Sequence, residues 1–194
     1  MKRANIPWGE NSVRLLFAAI LMLMVSCSAL AAPETHPLGP YTVSFNMNTS
    51  AKYQIQTPNP TVYPFATVYT LVISTDNTTG TSIGITKYKN LTTSTLETNE
   101  EIAALRMALS GINVTAPVEQ VIDNKNGFLL SGTPFAGMVN VPPGTVFQEA
   151  QYWLDSKSCE CGPVSVGTTL VDIASTYPQD VTKGILGSIH VTMS

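Results

Sequence analysis

The sequence predicts an α+β domain, a mostly antiparallel sheet covered by two helices. Three observations predict it. Apolar and polar residues alternate in strand-like runs from Tyr41 onward, a capped helix interrupts them mid-chain, and a second helical pattern appears near the end. Strands that arrive in runs, rather than in strict alternation with helices, favour antiparallel pairing over parallel βαβ units. Of the 194 residues, 1–31 read as a targeting segment, 32–40 as a tether rich in Pro and Gly, and 41–194 as a single domain. That length suffices for one core.

The elements follow in order. Tyr41, Val43, Phe45 and Met47 alternate with Thr42, Ser44 and Asn46, the signature of a half-buried strand. Tyr53 and Ile55 continue the alternation over Lys52–Gln56, as a hairpin partner of that strand. Thr67–Ser74 is β-branched and aromatic on both faces and reads as a central strand. After the turn at Asp76–Gly80, Ser82–Tyr88 returns as its neighbour.

A capping box at Thr98–Glu101 opens a helix over Asn99–Ser110, with Glu97 and Glu100 near its positive end and Gly111 placed to stop it. Ile102, Leu105 and Leu109 share one face of that helix and are expected to be buried. Val114–Ile122 and Gly127–Ser131 flank a hairpin turn at Asp123–Gly127. Phe135–Thr145 is rich in Gly and Pro. Val146–Leu154 reads as strand or helical turn, and Val164–Ser175 as one long strand. Thr176–Gln179 is a second capping-box candidate, and Val181, Ile185 and Leu186 would be the buried face of its helix. Ile189–Met193 closes the chain as a short strand.

This order resembles the PsbP/DcrB-like fold of exported and envelope proteins. The likeness rests on the paired opening strands at Tyr41–Gln56, the mid-chain helix at Asn99–Ser110, and the closing strand–helix–strand over Val164–Met193, which contains Gly187-Ser-Ile-His-Val191. It implies an accessory, mostly non-catalytic protein, and it transfers no functional residue.

Charge narrows the partners. Beyond residue 32 there are seven basic residues against twelve acidic ones, and no basic run. Nucleic-acid binding needs clustered cations to neutralise phosphates, so that class is excluded. At the N-terminus, Lys2, Arg3 and Arg14 precede an uninterrupted apolar run, Leu15–Val25, followed by small residues. This is the pattern of a secretory signal. An uncleaved anchor is the alternative, although a membrane span needs about 20 apolar residues. Ala29-Leu30-Ala31 offers a cleavage site before Ala32. Met24-Val25-Ser26-Cys27 offers a lipobox, with Cys27 as the lipidation site. Either route places the domain outside the cytoplasm, with membrane contact only through the signal or a lipid anchor.

Few residues carry unusual chemistry. Cys159 and Cys161 are separated by one residue. In an oxidising compartment the first expectation is a disulfide, ahead of a soft metal site for Cu(I) or Zn(II) and of redox chemistry. His190 reads as the exposed residue of a half-buried strand, and His36 as a solvated tether residue. Glu97, Glu100 and Glu101 are explained by helix capping. Asn48, Asn77, Asn90 and Asn113 begin N-x-S/T sequons and are candidate glycosylation sites. No nucleophile elbow, P-loop, dinucleotide fingerprint or metalloprotease helix occurs. The expected function is a non-catalytic envelope or surface protein, without cofactor, binding a partner protein or small ligand through the sheet or the loop Phe135–Val146. A metal-handling or redox protein using Cys159 and Cys161 is the alternative.

Overall fold

The computed structural model describes residues 33–90, 94–138, 141–155, 157–159 and 162–194, with backbone alone over 157–159 and 162–166. The targeting segment and Cys27 lie outside the described residues.

The chain is mostly β. The strands are β1 (Glu34–Leu38), β2 (Tyr41–Phe45), β3 (Gln54–Gln56), β4 (Thr61–Val62), β5 (Ala66–Ser74), β6 (Gly80–Tyr88), β7 (Ile112–Val114), β8 (Val118–Ile122), β9 (Lys125–Pro134), β10 (Phe147–Trp153), β11 (Lys157–Cys159), β12 (Gly162–Val166), β13 (Thr169–Ser175) and β14 (His190–Met193). Among the described residues two helices accompany them, α1 (Leu96–Leu109) and α2 (Gln179–Ser188). The large sheet runs β3-β5-β6-β13-β10-β9-β7, with β4 added to β5 and β8 added to β9. A smaller sheet runs β1-β2-β14, and β11 and β12 form a separate hairpin. All pairings are antiparallel.

The expected sheet covered by two helices is therefore corrected. One face of the large sheet carries a single helix, α1, which β12 also approaches. The other face is covered by the small sheet together with α2, and their shared core is the reason. Val171 and Ile173 of β13 sit in register with Ile85 and Ile83 of β6, and with Tyr152 and Ala150 of β10. These side chains point to one face and meet Tyr41, Val43 and Phe45 of β2 and Val181, Ile185 and Leu186 of α2. Successive strand residues face opposite sides, so the intervening positions form the second face. There Phe128 and Leu130 of β9 pack with Ile112 under Ala103 and Met107 of α1.

Other expectations change for local reasons. Residues 34–38 are not a tether but strand β1, paired residue for residue with β2 from Glu34–Phe45 to Leu38–Tyr41. Gly39 makes that tight turn possible. It sits at φ +63°, and a Cβ there would lie 2.2 Å from the Tyr69 ring. The strand over Gln54–Gln56 pairs with β5, not with β2. The single strand expected over 164–175 breaks at Gly167–Thr168. There Asp155 accepts hydrogen bonds from the Thr168 and Thr169 backbone N–H groups at 3.0 and 2.8 Å. The β8–β9 turn is tighter than its sequence signal, with only Asp123 and Asn124 between the strands, both at positive φ (50° and 58°). That is the type I′ hairpin geometry.

Helix α1 starts a turn earlier than the Thr98 box suggests. Thr95 is the N-cap, and its hydroxyl accepts from the Thr98 backbone N–H at 3.0 Å. The buried face carries Ala103 and Met107, whereas Ile102, Leu105 and Leu109 are exposed. Helix α2 buries Val181, Ile185 and Leu186, in agreement with the sequence. Its N-cap is Pro178 without a side-chain cap bond, and Thr176 bonds instead to the Thr78 carbonyl at 2.9 Å.

Candidate functional site

A pocket of about 670 Å³ opens beside the C-terminal end of α1. Its walls come from the ends of β5, β6, β10 and β13, from the last turn of α1, and from the loop after β9. Val72, Met107, Ile112, Met138, Phe147 and Ala174 supply an apolar lining. Met138 and Val141 bring in the Gly- and Pro-rich loop Phe135–Val146 that the sequence singles out.

Arg106 and Glu149 of the pocket wall belong to an ion cluster across three elements, and Ser74, Asp76, Asn77, Thr78 and Ser110 add further polar lining. Arg106 of α1 donates to Glu149 of β10 and stands 4.0 Å from Asp172 of β13. Gln151 of β10 also donates to Glu149, at 2.8 Å. The strand register explains the meeting, since Asp172 lies opposite Gln151. The two carboxylates share one cation. Burial first, and the neighbouring Glu149 second, push Asp172 up to about 7, against the opposing pull of Arg106. Its Oδ1 atom has no hydrogen-bond partner among the described residues. Beside the pocket runs a chain of buried hydroxyls. Thr81 donates to Ser175, Ser175 bonds Thr182, and Gln148 bonds both Thr182 and the Tyr177 carbonyl. Satisfied networks of this kind fix geometry at little net cost.

Two histidine sites gain partners that the sequence does not announce. His190, on edge strand β14, meets Asp123 from the β8–β9 turn, with Nδ1 2.6 Å from Oδ1. The Asp123 side chain is only 4% exposed. It also accepts from the Val191 backbone N–H at 3.0 Å and the Tyr152 hydroxyl at 3.3 Å. Burial, then Asp123, holds that tyrosine well above its ordinary range. His36 is not a free tether residue. It is partly buried, 3.0 Å from Glu34, with its ring stacked on Phe45. Glu34 also accepts from Tyr53, whose pKa is pushed up to about 12 by burial and then by Glu34.

The remaining candidates scatter. Asn48, Asn77, Asn90 and Asn113 are all exposed and share no site. Cys161 lies outside the described residues, and only the backbone of Cys159 is described, in β11. Among the described residues no three His, Cys, Asp or Glu side chains converge as a metal site. Glu97 and Glu100 line a second hollow, of about 800 Å³, between the start of α1 and β8, with Glu119 opposite. Glu101 lies outside it. Glu100 is raised above its usual range by burial, then by Glu97, Glu119 and Glu101.

No protein family, curated protein or solved structure matches the chain.

Proposed function

We propose that this chain is a non-catalytic exported binding protein whose ligand is a small, largely apolar molecule seated between α1 and the large sheet. One observation carries the reading: a pocket of about 670 Å³ whose open surface is mostly apolar, with Arg106, Glu149 and Asp76 among its lining. Small-molecule sites have this size and this composition. Arg106 is more than half exposed there, so part of its guanidinium faces the opening and can orient a polar head group.

Binding rather than turnover is favoured because the polar groups at the pocket already engage one another. Arg106 holds Glu149, Gln148 holds Tyr177 and Thr182, and Ser175 sits between Thr81 and Thr182. The two histidine–carboxylate pairs among the described residues, His190–Asp123 and His36–Glu34, resemble an oriented base, and neither lines the pocket. The signal segment and the acidic, weakly charged surface support an extracytoplasmic setting.

The test is uptake of the apolar fluorophore N-phenyl-1-naphthylamine by the purified protein, compared with an Ala174→Trp variant. Ala174 lines the pocket on a strand position outside the main core, so an indole there fills the cavity and leaves the fold in place. Saturable uptake by the parent protein and loss of it in the variant, at unchanged melting temperature, is the expected result. Equal uptake by both, or none by either, would end the reading.

A further inference from the structure

Helix α1 is apolar on two sides. Its inner side, Ala103 and Met107 with Leu96, packs on the sheet. On its outer side Ile102, Leu105 and Leu109 are 56%, 61% and 80% exposed. Residues three, four and seven apart on a helix stand on one stripe, so these three side chains form a single ridge. A helix that is apolar inside and out can take a second partner, and among the described residues no side chain covers this outer ridge.

The charges beside the ridge say what the second partner carries. Glu97 and Glu101 are exposed and stack four residues apart along one flank, in line with Leu105. The only cation of α1 is Arg106, which is drawn down to Glu149. A parallel second copy of this chain would bring the same glutamates against themselves, and an antiparallel one would offer them no cation but Arg106, already held by Glu149. An anionic lipid surface would likewise be repelled.

We propose that the outer ridge of α1 docks an amphipathic helix of a partner protein, one that sets lysine or arginine beside its apolar stripe. Ile102, Leu105 and Leu109 then fill the groove of the incoming helix, and Glu97 and Glu101 fix its direction. The surface is distinct from the ligand pocket, so a protein partner and a small ligand can be held together.

The experiment places the photo-crosslinker p-benzoylphenylalanine at Leu105 of the full chain in the cells that make it. A control at exposed Thr115 runs alongside, and the crosslinked segment is sequenced. The expected product is one partner segment with apolar residues at helical spacing and flanking Lys or Arg. A synthetic peptide of that segment should bind the purified protein. Its affinity should fall about a hundredfold in an Ile102→Gln/Leu105→Gln variant. In a Glu97→Gln/Glu101→Gln variant it should fall about fivefold and lose most of its salt dependence. All four positions are exposed, and the melting temperature checks that both variants remain folded. A crosslink to lipid, to a second copy, or to an acidic or extended segment would overturn the proposal. So would no crosslink above the Thr115 control, or unchanged affinity in the ridge variant.

Discussion

Asp123 shows how one side chain can join distant parts of a chain. Its backbone makes the β8–β9 turn, and its buried carboxylate holds Val191, His190 and Tyr152. Asp123→Ala removes three acceptor contacts and adds strain at positive φ, so it should cost about 3 kcal/mol in urea unfolding. Asp123→Asn tolerates the same φ and keeps one acceptor, and should cost about half as much. His190→Gln, at an exposed ring, should cost under about 1 kcal/mol. If the two Asp123 variants are equal and small, the clasp contributes little. Asp172 acts in the opposite sense. A carboxyl whose native pKa is raised to about 7 is protonated in the native state while already ionised in the unfolded chain. Its contribution is full below about pH 4 and is lost as pH rises through 7. Asp172→Asn removes that loss, so the variant should gain stability over the parent as pH rises from 4 to 8, by at most about 4 kcal/mol, and gain nothing at pH 4. Parallel stability curves across that range would contradict the assignment. Sequence reading identified Asp123 as a turn residue and passed over Asp172, because neither partnership is local: Asp123 meets His190 across 67 residues.

At the scale of the element, local signals located strands well and their partners poorly. The alternation over Tyr41–Met47 is reproduced as alternating burial along β2, because periodicity reports which face is wet. It does not report the neighbour, and β3 joins β5 rather than β2. Helix α1 shows a second limit. Thr95 and Thr98 are both plausible caps three residues apart, and the Glu101 signal favoured the wrong one. Thr98 instead occupies the N3 position, its N–H bonded to Thr95. Thr95→Ala should therefore destabilise the protein by about 1 kcal/mol in denaturant unfolding. Thr98→Ala should cost less than half of that, since the N–H that Thr95 receives is backbone. The reverse ranking would restore the Thr98 cap. The buried face was misjudged because the outer stripe, Ile102, Leu105 and Leu109, is bulkier than the inner Ala103 and Met107. Size pointed outward, toward a surface that is open in the isolated chain.

On the scale of the whole molecule, the candidate pocket was only partly legible. The loop Phe135–Val146 stood out by composition and does line it through Met138 and Val141. Arg106, Glu149 and Asp172 carried no motif, because they come from a helix and two strands whose register alone brings them together. The same dependence on long-range pairing governs where the fold begins. Strand β1 starts at Glu34, and its Leu38 is buried in the main core. The proposed cleavage before Ala32 leaves β1 whole, with two residues ahead of it. Lipidation at Cys27 would likewise leave β1 whole, with seven residues from Cys27 to Pro33 ahead of it. In both cases β1 is part of the folded unit and not a spacer. A chain beginning at Tyr41 loses Leu38 from the core, the ladder to β2, the stacking of His36 on Phe45 and the Glu34–Tyr53 bond. It should be less stable by about 3 kcal/mol, and it leaves β2 with β14 as its only neighbour. A chain beginning at Ala32 should unfold at the same urea concentration as the longer protein. Equal midpoints for the Ala32 and Tyr41 chains would return residues 34–38 to the role of a tether.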